Sequence, residues 1–326
     1  MPADGGARAL KVVVTGGCGF IGSNLCRLLA ADPQIELVVL DDFSVGDAGR
    51  LDGLDLTIIE GSVLDPQAID AAFAGADAVV HLAAVASVQE SVENPLRVLD
   101  VNVTGTALVL EAARRSGGGS GDAAGGGAHV ILASSSSVYG SDPTLPKHEG
   151  LLPRTESPYG VSKLAAEAYA LTWQRVYGLP VLAFRFFNVF GPRQQASSAY
   201  PAVVPAFLER AIAGEPLVVY GTGEQSRDFT YVDSVCSVIA DAVRRRVVSD
   251  TPVDLGFGVR TSLLELIGAI ETAIGHPVET VFDQARRGDV LHSQAEGAEM
   301  ARLFPALQPV SLERGLAATV EWMRSR

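Results

Sequence analysis

Tyr159 and Lys163 are the two residues in this sequence whose types and spacing point most directly to proton transfer. They stand four positions apart in a segment that predicts a helix, and so lie on one face, one turn apart. An ammonium group beside a tyrosine hydroxyl favours the phenolate, which lowers the tyrosine pKa towards a value suited to a general base. Only three of the 25 basic residues are lysines, and arginine, with its delocalised charge and bulky planar group, would not replace this one equivalently.

A run of serines at residues 134–137 supplies further hydroxyl groups. It follows a predicted strand over residues 129–133. The carboxyl ends of strands in a doubly wound sheet face the ligand crevice, so these hydroxyls would be presented there. An ordinary polar turn that closes the strand would use the same residues, and the run alone leaves both interpretations open.

A glycine-rich turn follows the first predicted strand, over residues 11–15. Its spaced glycines are Gly16, Gly19 and Gly22. Glycine allows a tight turn and a close approach of the backbone to a pyrophosphate, which then binds at the N-terminus of the following helix. About twenty residues further on, a second strand ends in Asp41 and Asp42, whose carboxylates can accept hydrogen bonds from ribose hydroxyls and repel a 2′-phosphate. The turn therefore predicts NAD in preference to NADP.

Apolar strands alternate with helical patterns through the first half of the chain. The predicted strands cover residues 11–15, 37–40, 56–59, 78–82 and 129–133, and the predicted helices cover residues 21–30, 66–74 and 95–115. Strands that are apolar throughout and separated by helices indicate a parallel sheet covered on both faces, a doubly wound α/β (Rossmann) fold. Helix 158–177 and strand 181–187 continue the pattern, and the glycine-rich residues 116–128 predict a flexible surface loop.

From Gly191 onward this regular alternation is lost. The later predicted elements cover residues 203–213, 217–220, 231–245 and 262–274. We predict an NAD-binding domain over residues 1–190 that carries the tyrosine, lysine and serines, and a smaller α/β substrate lobe mainly over residues 191–326, with some chain crossing back. A cleft between two lobes is a favoured place for a ligand.

Composition restricts the partners. A net charge of −13 and a pI near 4.8 argue against nucleic acid or an anionic membrane, because phosphates recruit clustered lysine and arginine. The cysteines, Cys18, Cys26 and Cys236, show no CxxC spacing, so we expect neither a disulfide framework nor a metal site. Apolar segments of signal-peptide or membrane-span length are missing from the sequence. We expect a soluble, cytoplasmic protein.

Nine short motifs run in order along the chain: TGGCGFIGSN, LDD, HLAAVAS, NVTGT, SSSSVYG, SPYGVSK, FRFFNVFGPRQ, SRDFTYV and RRGDVLHS. Together they resemble the extended short-chain dehydrogenase/reductase superfamily, its NAD-dependent epimerase/dehydratase family, and most of all the UDP-hexose 4-epimerases. The resemblance implies a tightly held NAD and a transient 4-keto sugar. Tyr159 would take the O4 proton while hydride leaves C4, and the hydride would return to the other face of the sugar. Lys163 would also bind the nicotinamide ribose, and Ser135 matches the family's catalytic hydroxyl.

The same resemblance transfers a set of binding residues. Those matching cofactor positions are Gly16, Gly19, Phe20, Ile21, Gly22, Asp41, Asp42, Val63, Ala83, Ala84 and Asn102, besides Tyr159 and Lys163. Those matching substrate positions are Ser87, Ser135, Ser136, Ser137, Asn188, Arg193, Arg227, Arg286, Asp289 and Ser293. Arginines are suited to the diphosphate of a nucleotide-sugar. The resemblance also implies a homodimer formed by residues 104–115 and 158–177. Lys147, in a polar loop, is expected to be exposed.

Residues near the catalytic serine indicate the branch of the family. Dehydratases and decarboxylases of this family carry acidic residues just after the catalytic hydroxyl, where this chain has Ser136 and Ser137, so 4-epimerisation is favoured over both.

The size of the sugar depends on Ser293, which stands where hexose-specific members carry a bulky tyrosine. A small residue there admits UDP-GlcNAc and UDP-GalNAc alongside UDP-glucose and UDP-galactose. UDP-glucuronate 4-epimerases share the small residue and stay as the alternative, although Asn188 and Gln195 depart from their pattern. The rival hypotheses are an NAD-sensing module without catalysis, which Tyr159 and Lys163 weigh against, and a net oxidoreductase.

Overall fold

A seven-stranded parallel sheet forms the centre of the molecule in this computed structural model, which describes residues 8–116, 126–195, 202–284 and 290–325. Its strands are β1 (Leu10–Thr15), β2 (Ile35–Asp41), β3 (Thr57–Glu60), β4 (Ala78–His81), β5 (His129–Ser135), β6 (Val181–Phe186) and β10 (Val253–Leu255). Their order is β10-β6-β5-β4-β1-β2-β3. The prediction of a doubly wound α/β fold is confirmed.

The described residues form eleven α-helices, some of which cover both faces of the central sheet. They are α1 (Phe20–Ala30), α2 (Pro66–Phe73), α3 (Val88–Glu93), α4 (Pro95–Leu99), α5 (Gly105–Arg115), α6 (Pro158–Tyr177), α7 (Val203–Ala213), α8 (Val232–Arg245), α9 (Leu263–Ile274), α10 (Ala298–Leu303) and α11 (Leu312–Arg324). Side chains alternate along a strand, and accordingly Val12 and Val14 pack on the α1 and α8 side while Val13 packs on the α2, α5 and α6 side. None of the described helices is long and apolar enough to span a bilayer.

The predicted helix over residues 95–115 is helical throughout, but its winding changes within it. A π-helical segment, Asp100–Thr104, separates α4 from α5, and the short helix α3, which the sequence did not predict, precedes them. Such π segments are frequent at functional sites. The other predicted elements of the first half are found with small shifts at their ends, and β5 extends to Ser135, so that Ser134 and Ser135 belong to a strand. Most of the predicted glycine-rich loop, residues 117–125, lies outside the described residues.

Two smaller sheets accompany the central one. The first has the order β11 (Arg260–Ser262), β9 (Ser226–Tyr231), β7 (Asn188–Phe190), and the second pairs β12 (Thr280–Asp283) with β8 (Leu217–Tyr220). After β9 the chain returns, because α8 packs against α1 and β10 pairs with β6. The division at residue 190 remains a prediction.

Lys147 corrects one expectation. We expected it to be exposed, but it is only 2% exposed. Its backbone amide donates to Gln294 O at 2.7 Å and its carbonyl accepts from the Glu296 amide at 2.8 Å, while its ammonium donates to the Asp142 carbonyl. The local sequence is polar, but pairing with a segment almost 150 residues away covers the side chain.

Candidate active site

Helix α6 places Tyr159 and Lys163 in its first two turns. The Ser157 hydroxyl caps the helix by accepting from the Gly160 amide at 3.1 Å, and Pro158 occupies the first turn, both common devices for starting a helix. Gly160 approaches residues 134–139, here called the serine segment, so closely that a Cβ on it would lie 3.0 Å from the Ser137 carbonyl oxygen. The start of α6 therefore abuts the serine segment.

Ser135 ends β5 and lies close enough to Tyr159 to affect the pKa of its hydroxyl. The Ser135 oxygen accepts from the Ser137 amide at 3.2 Å and from the Ser137 hydroxyl at 2.9 Å. Ser135 lowers the pKa of Tyr159, as a hydroxyl does when it donates to the oxygen that becomes phenolate. The structure thus brings Ser135 and Tyr159 together, with Ser136 and Ser137 half-buried beside them.

The net effect on Tyr159 differs from the expectation. Part of the ring is accessible, yet burial raises the pKa of Tyr159, and this outweighs the opposite effect of Ser135. The Lys163 ammonium lies 5.9 Å from the centre of the Tyr159 ring and donates to the Ala133 carbonyl at 2.9 Å. Burial lowers the pKa of Lys163 to about 8. The protein's own groups therefore hold Tyr159 as a neutral phenol, because desolvating a phenolate costs more than these neighbours recover.

The glycine turn is shaped by close backbone contacts. Gly16 has a φ of +71°, and a Cβ there would lie 2.7 Å from the Ala83 nitrogen, so the turn rests against the loop after β4. A Cβ on Gly22 would lie 2.1 Å from the Gly16 oxygen. Asp41 is buried, and its carboxylate accepts from the amides of Cys18 at 2.8 Å and Phe43 at 2.9 Å. Asp41 therefore holds the turn itself, while Asp42 beside it is exposed.

The N-terminus of α1 fits the anionic part of NAD. Gly19 is its N-cap residue and, within the described chain, has no side-chain capping bond. Phe20 and Ile21 follow in a first turn that contains no acidic residue. Free amide groups at a helix N-terminus favour an anion, so the residues present suit a pyrophosphate. Val63, matched to the adenine side, is buried in the core, and a Cβ on Gly105 would lie 2.8 Å from it.

Asn102 joins the loop after β4 to α6. Its side-chain oxygen accepts from the Val85 amide at 2.8 Å. Its amide nitrogen donates to the Val85 carbonyl and to the Ser162 hydroxyl, both at 3.0 Å, and Ser162 donates to the Tyr159 carbonyl at 2.8 Å. The loop so held begins with Ala83 and Ala84, so these cofactor-matched residues lie next to the site. The sequence matched Asn102 to the nicotinamide side but did not predict this link or the π segment that bears it.

Sequence reasoning also gave no role to His81, although the residue stands in the quoted HLAAVAS motif. The Thr106 hydroxyl donates to the Asn102 carbonyl at 2.6 Å. Because its proton is used there, its oxygen accepts from His81 Nε2 at 3.0 Å. His81 Nδ1 then accepts from Thr15 at 2.7 Å, and Thr15 accepts from the Ala83 amide at 3.3 Å. We call Thr15, His81 and Thr106 the His81 chain. Burial, with a smaller effect of the Lys163 charge, lowers the pKa of His81 to about 3.

Two of the substrate-matched residues share one face of a small sheet, and a third lies next to it. Asn188 of β7 pairs with Phe229 of β9, two positions after Arg227, so Asn188 and Arg227 point to the same side. Ser226 pairs with His292 and its hydroxyl contacts His292 Nδ1 at 2.8 Å. The Ser293 amide donates to the Ser226 carbonyl at 3.0 Å, so Ser293 lies beside the strand that carries Arg227.

The other substrate-matched residues are placed differently. Arg193 has a φ of +69° and donates to Asn24 of α1 at 3.0 Å, so its contacts are with the helix of the glycine turn. Ser87 caps α3 by accepting from the Glu90 amide at 3.1 Å. Arg286 and Asp289 lie outside the described residues.

Comparison with known proteins establishes the family. The NAD dependent epimerase/dehydratase family matches residues 12–256. The chain belongs to this family. It is 33% identical over 323 residues to the UDP-glucose 4-epimerase of Mycolicibacterium smegmatis, covering 97% of this chain and 99% of that protein. The family resemblance predicted from the motifs is confirmed.

Solved structures agree with this family. The UDP-N-acetylglucosamine 4-epimerase of Methanobrevibacter ruminantium, in complex with UDP-N-acetylmuramic acid, has a TM-score of 0.89 at 32% identity, covering 98% of this chain and 99% of that one. The UDP-glucuronic acid 4-epimerase of Bacillus cereus, in complex with its UDP-sugar and NAD, has a TM-score of 0.84 at 27% identity, covering 97% and 99%. This epimerase is an isomerase that uses NAD, as predicted.

Proposed function

We propose that this epimerase inverts C4 of a UDP-sugar, with Tyr159, Ser135 and Lys163 as its catalytic groups. The observation that carries the proposal is the close packing of the start of α6, which bears Tyr159 and Lys163, against the serine segment, which bears Ser135. The two residues that follow Ser135 are serines, which cannot serve as the acidic groups that dehydration or decarboxylation needs. The full-length similarity to UDP-sugar 4-epimerases supports the same conclusion.

The protein groups divide the proton chemistry among them. Tyr159 must ionise before it can act as the base: as the phenolate it accepts the proton of the sugar O4, and it returns that proton at the end of the cycle. Ser135 donates to the Tyr159 oxygen and so favours the phenolate, and the buried Lys163 ammonium adds positive charge nearby. NAD, when bound, accepts a hydride from the sugar and gives it back. The residues that would hold it are the glycine turn, the first turn of α1, Asp41, Asp42, Ala83, Ala84 and Asn102.

Asn188, Arg227 and Ser293 form the substrate side of the proposed site. Arg286 and Asp289, which lie outside the described residues, are assigned to the substrate from the sequence motifs alone. A guanidinium on this face suits a diphosphate. With serine at position 293 the site accommodates an N-acetylhexosamine as well as a hexose, so UDP-GlcNAc/UDP-GalNAc and UDP-glucose/UDP-galactose are the proposed substrates. UDP-glucuronate is the second candidate, since Ser136 and Ser137 could hold its carboxylate and a UDP-glucuronate epimerase has a similar fold.

A homodimer across α5 and α6, working in the cytoplasm, completes the proposal. Four large apolar or aromatic side chains of α6 are exposed: Val161, Tyr169, Val176 and Tyr177. Such a stripe on one helix is typical of a protein interface. Sedimentation or light scattering would measure the dimer, and a monomer at micromolar concentration would contradict it.

Replacing Tyr159 tests the catalytic assignment. Tyr159→Phe should reduce epimerisation of UDP-glucose, UDP-GlcNAc and UDP-glucuronate by at least roughly a hundredfold. The amount of bound NAD, measured by absorbance after the protein is denatured, should not change. Tyr177→Phe, on the same helix, is the matched control and should remain active. Substantial turnover by Tyr159→Phe would refute the base assignment.

Ser293→Tyr tests the substrate class. The ratio of UDP-GlcNAc to UDP-glucose epimerisation should fall by roughly tenfold or more, because the larger ring removes room for the N-acetyl group. An unchanged ratio would refute the assignment of Ser293 as the residue that sets substrate size.

A further inference from the structure

Five buried polar side chains form a hydrogen-bonded network that includes both ends of the serine segment. They are Ser134, Tyr139, Glu167, Arg185 and Asp254, each 3% exposed or less. We call them the Arg185 network. They come from β5, the 3₁₀ turn after it, α6, β6 and β10. None of them is among the residues given a catalytic or binding role above.

Arg185 is the centre of this network. Its Nε and Nη2 donate to the two carboxylate oxygens of Glu167 at 3.0 and 2.7 Å, and its Nη1 donates to the Tyr139 hydroxyl at 2.9 Å. Tyr139 in turn donates to Asp254, with its oxygen 2.7 and 2.8 Å from the two carboxylate oxygens. Ser134 donates to Glu167 at 2.9 Å. One guanidinium therefore fixes two partners in different directions.

These partners hold both ends of the serine segment. Ser134 directly precedes Ser135, and Tyr139 ends the 3₁₀ turn that Ser135 caps. Glu167 lies on α6, four residues after Lys163 and on the same face. The network thus joins the strand end that carries Ser135 to the helix that carries Tyr159, from below both.

The chemistry of the pair favours a geometric role. Burying an ion pair gives little net stability compared with apolar residues of the same volume, whereas it fixes directions strongly. Arginine presents a rigid planar fork, which lysine cannot reproduce. A bidentate bond on one side and a bond to Tyr139 on the other leave the guanidinium a single orientation.

We propose that Arg185 is a positioning residue for the epimerase, which sets the contact between the Ser135 and Tyr159 hydroxyls by holding the serine segment against α6. This inference rests on the proposed catalytic roles of Ser135 and Tyr159. Loss of the fork lets the serine segment shift relative to α6, and the contact between Ser135 and Tyr159 weakens. Small displacements of catalytic groups have large kinetic effects.

Arg185→Lys tests the proposal, since it keeps the charge and removes the fork. We expect kcat for the UDP-sugar that the wild type epimerises to fall roughly tenfold to a hundredfold, with KM and NAD content changed less than about threefold. The pKa of Tyr159, read by NMR of enzyme with ring-labelled tyrosine and Tyr159→Phe as the assignment reference, should rise by about half a unit or more. Arg302→Lys is the matched control, because Arg302 makes the same bidentate contact to Glu299 on the surface.

The outcomes separate positioning from simple stabilisation. A lower melting temperature with wild-type kcat per folded molecule and an unshifted Tyr159 titration would overturn the proposal. If Arg185→Lys does not fold, Ser134→Ala and Tyr139→Phe test the two arms separately, and wild-type values of kcat and of the Tyr159 titration in both would equally overturn it. Failure of the wild type to epimerise any UDP-sugar would instead reject the proposed function, while the titration would still test the positioning role.

Discussion

The Arg185 network and the His81 chain are both buried near α6, but only the Arg185 network contains charged side chains. Arg185 and Glu167 form an ion pair under the serine segment. The His81 chain is neutral, since the pKa of His81 lies at about 3, and it runs from the Ala83 amide to the Asn102 carbonyl. Both fix loops that bear site residues. The charged network therefore fixes orientation but is more sensitive to the loss of a partner, because an unpaired buried ion costs more than an unpaired buried hydroxyl.

Removing one ion of the charged network should have the largest effect on stability. Glu167→Ala leaves the Arg185 guanidinium buried without a carboxylate and should lower the free energy of unfolding by about 3–5 kcal/mol. Urea denaturation followed by circular dichroism measures it. Glu299→Ala removes the same kind of pair at the surface and should cost less than about 1 kcal/mol. Equal losses in the two variants would contradict the contrast between buried and exposed pairs.

Removing the imidazole of the His81 chain should lower the free energy of unfolding less than Glu167→Ala does. His81→Leu removes one hydrogen-bond partner from each of the Thr15 and Thr106 hydroxyls, which keep only the Ala83 amide and the Asn102 carbonyl, and we expect a loss of about 1–3 kcal/mol in unfolding free energy. The triple variant Thr15→Val, His81→Leu, Thr106→Val removes the two hydroxyls that faced the imidazole and should recover part of that loss. The recovery should be incomplete, because the Ala83 amide and the Asn102 carbonyl each lose a side-chain partner. A triple variant less stable than His81→Leu alone would show that the hydroxyls have other essential roles.

The local sequence motifs and the Arg185 network differ in how far the sequence could predict them. The glycine turn, the Tyr159 and Lys163 spacing and the alternating elements are local patterns, and the family, fold and NAD cofactor predicted from them are confirmed. The Arg185 network depends on contacts between residues far apart in the chain, such as Tyr139 and Asp254, which are 115 positions apart. No local spacing predicts such pairs.

Burial explains the expectations that failed. Lys147 stands in a polar stretch, yet a distant segment covers it, and Tyr159 has a raised pKa because desolvation outweighs its neighbours. The helix over residues 95–115 is found as predicted, but the sequence did not predict the π segment around Asn102 within it. In each case the local sequence was interpreted correctly for an isolated segment, and tertiary packing changed the result.

The His81 chain should make the stability of the folded protein sensitive to acid. The pKa of His81 falls from 6.5 to about 3 on folding, so between these pH values the unfolded chain binds a proton that the folded protein does not. Stability should therefore fall as the pH is lowered from about 6.5, by up to about 1.4 kcal/mol per pH unit from this group. His129, with its pKa lowered to about 4, adds in the same direction. His81→Leu should flatten this slope, and a slope as steep as that of the wild type would contradict the assignment to His81.

The charged network should show a smaller dependence of the opposite sign. Burial raises the pKa of Asp254 from 3.8 to about 7, opposed by the hydrogen bond from Tyr139 and the charge of Arg185 and reinforced by Glu149 and Glu167. Between about pH 4 and pH 7 the folded protein therefore binds a proton that the unfolded chain does not, so this group lowers stability as the pH rises. Asp254→Asn removes the group, and the stability of the wild type relative to this variant should fall between pH 5 and pH 7.5. We expect a change below about 1 kcal/mol per pH unit, since Tyr139 and Arg185 stabilise the carboxylate in part. A difference that rises with pH would mean that these two partners outweigh desolvation, and the two regions would then respond to pH with the same sign.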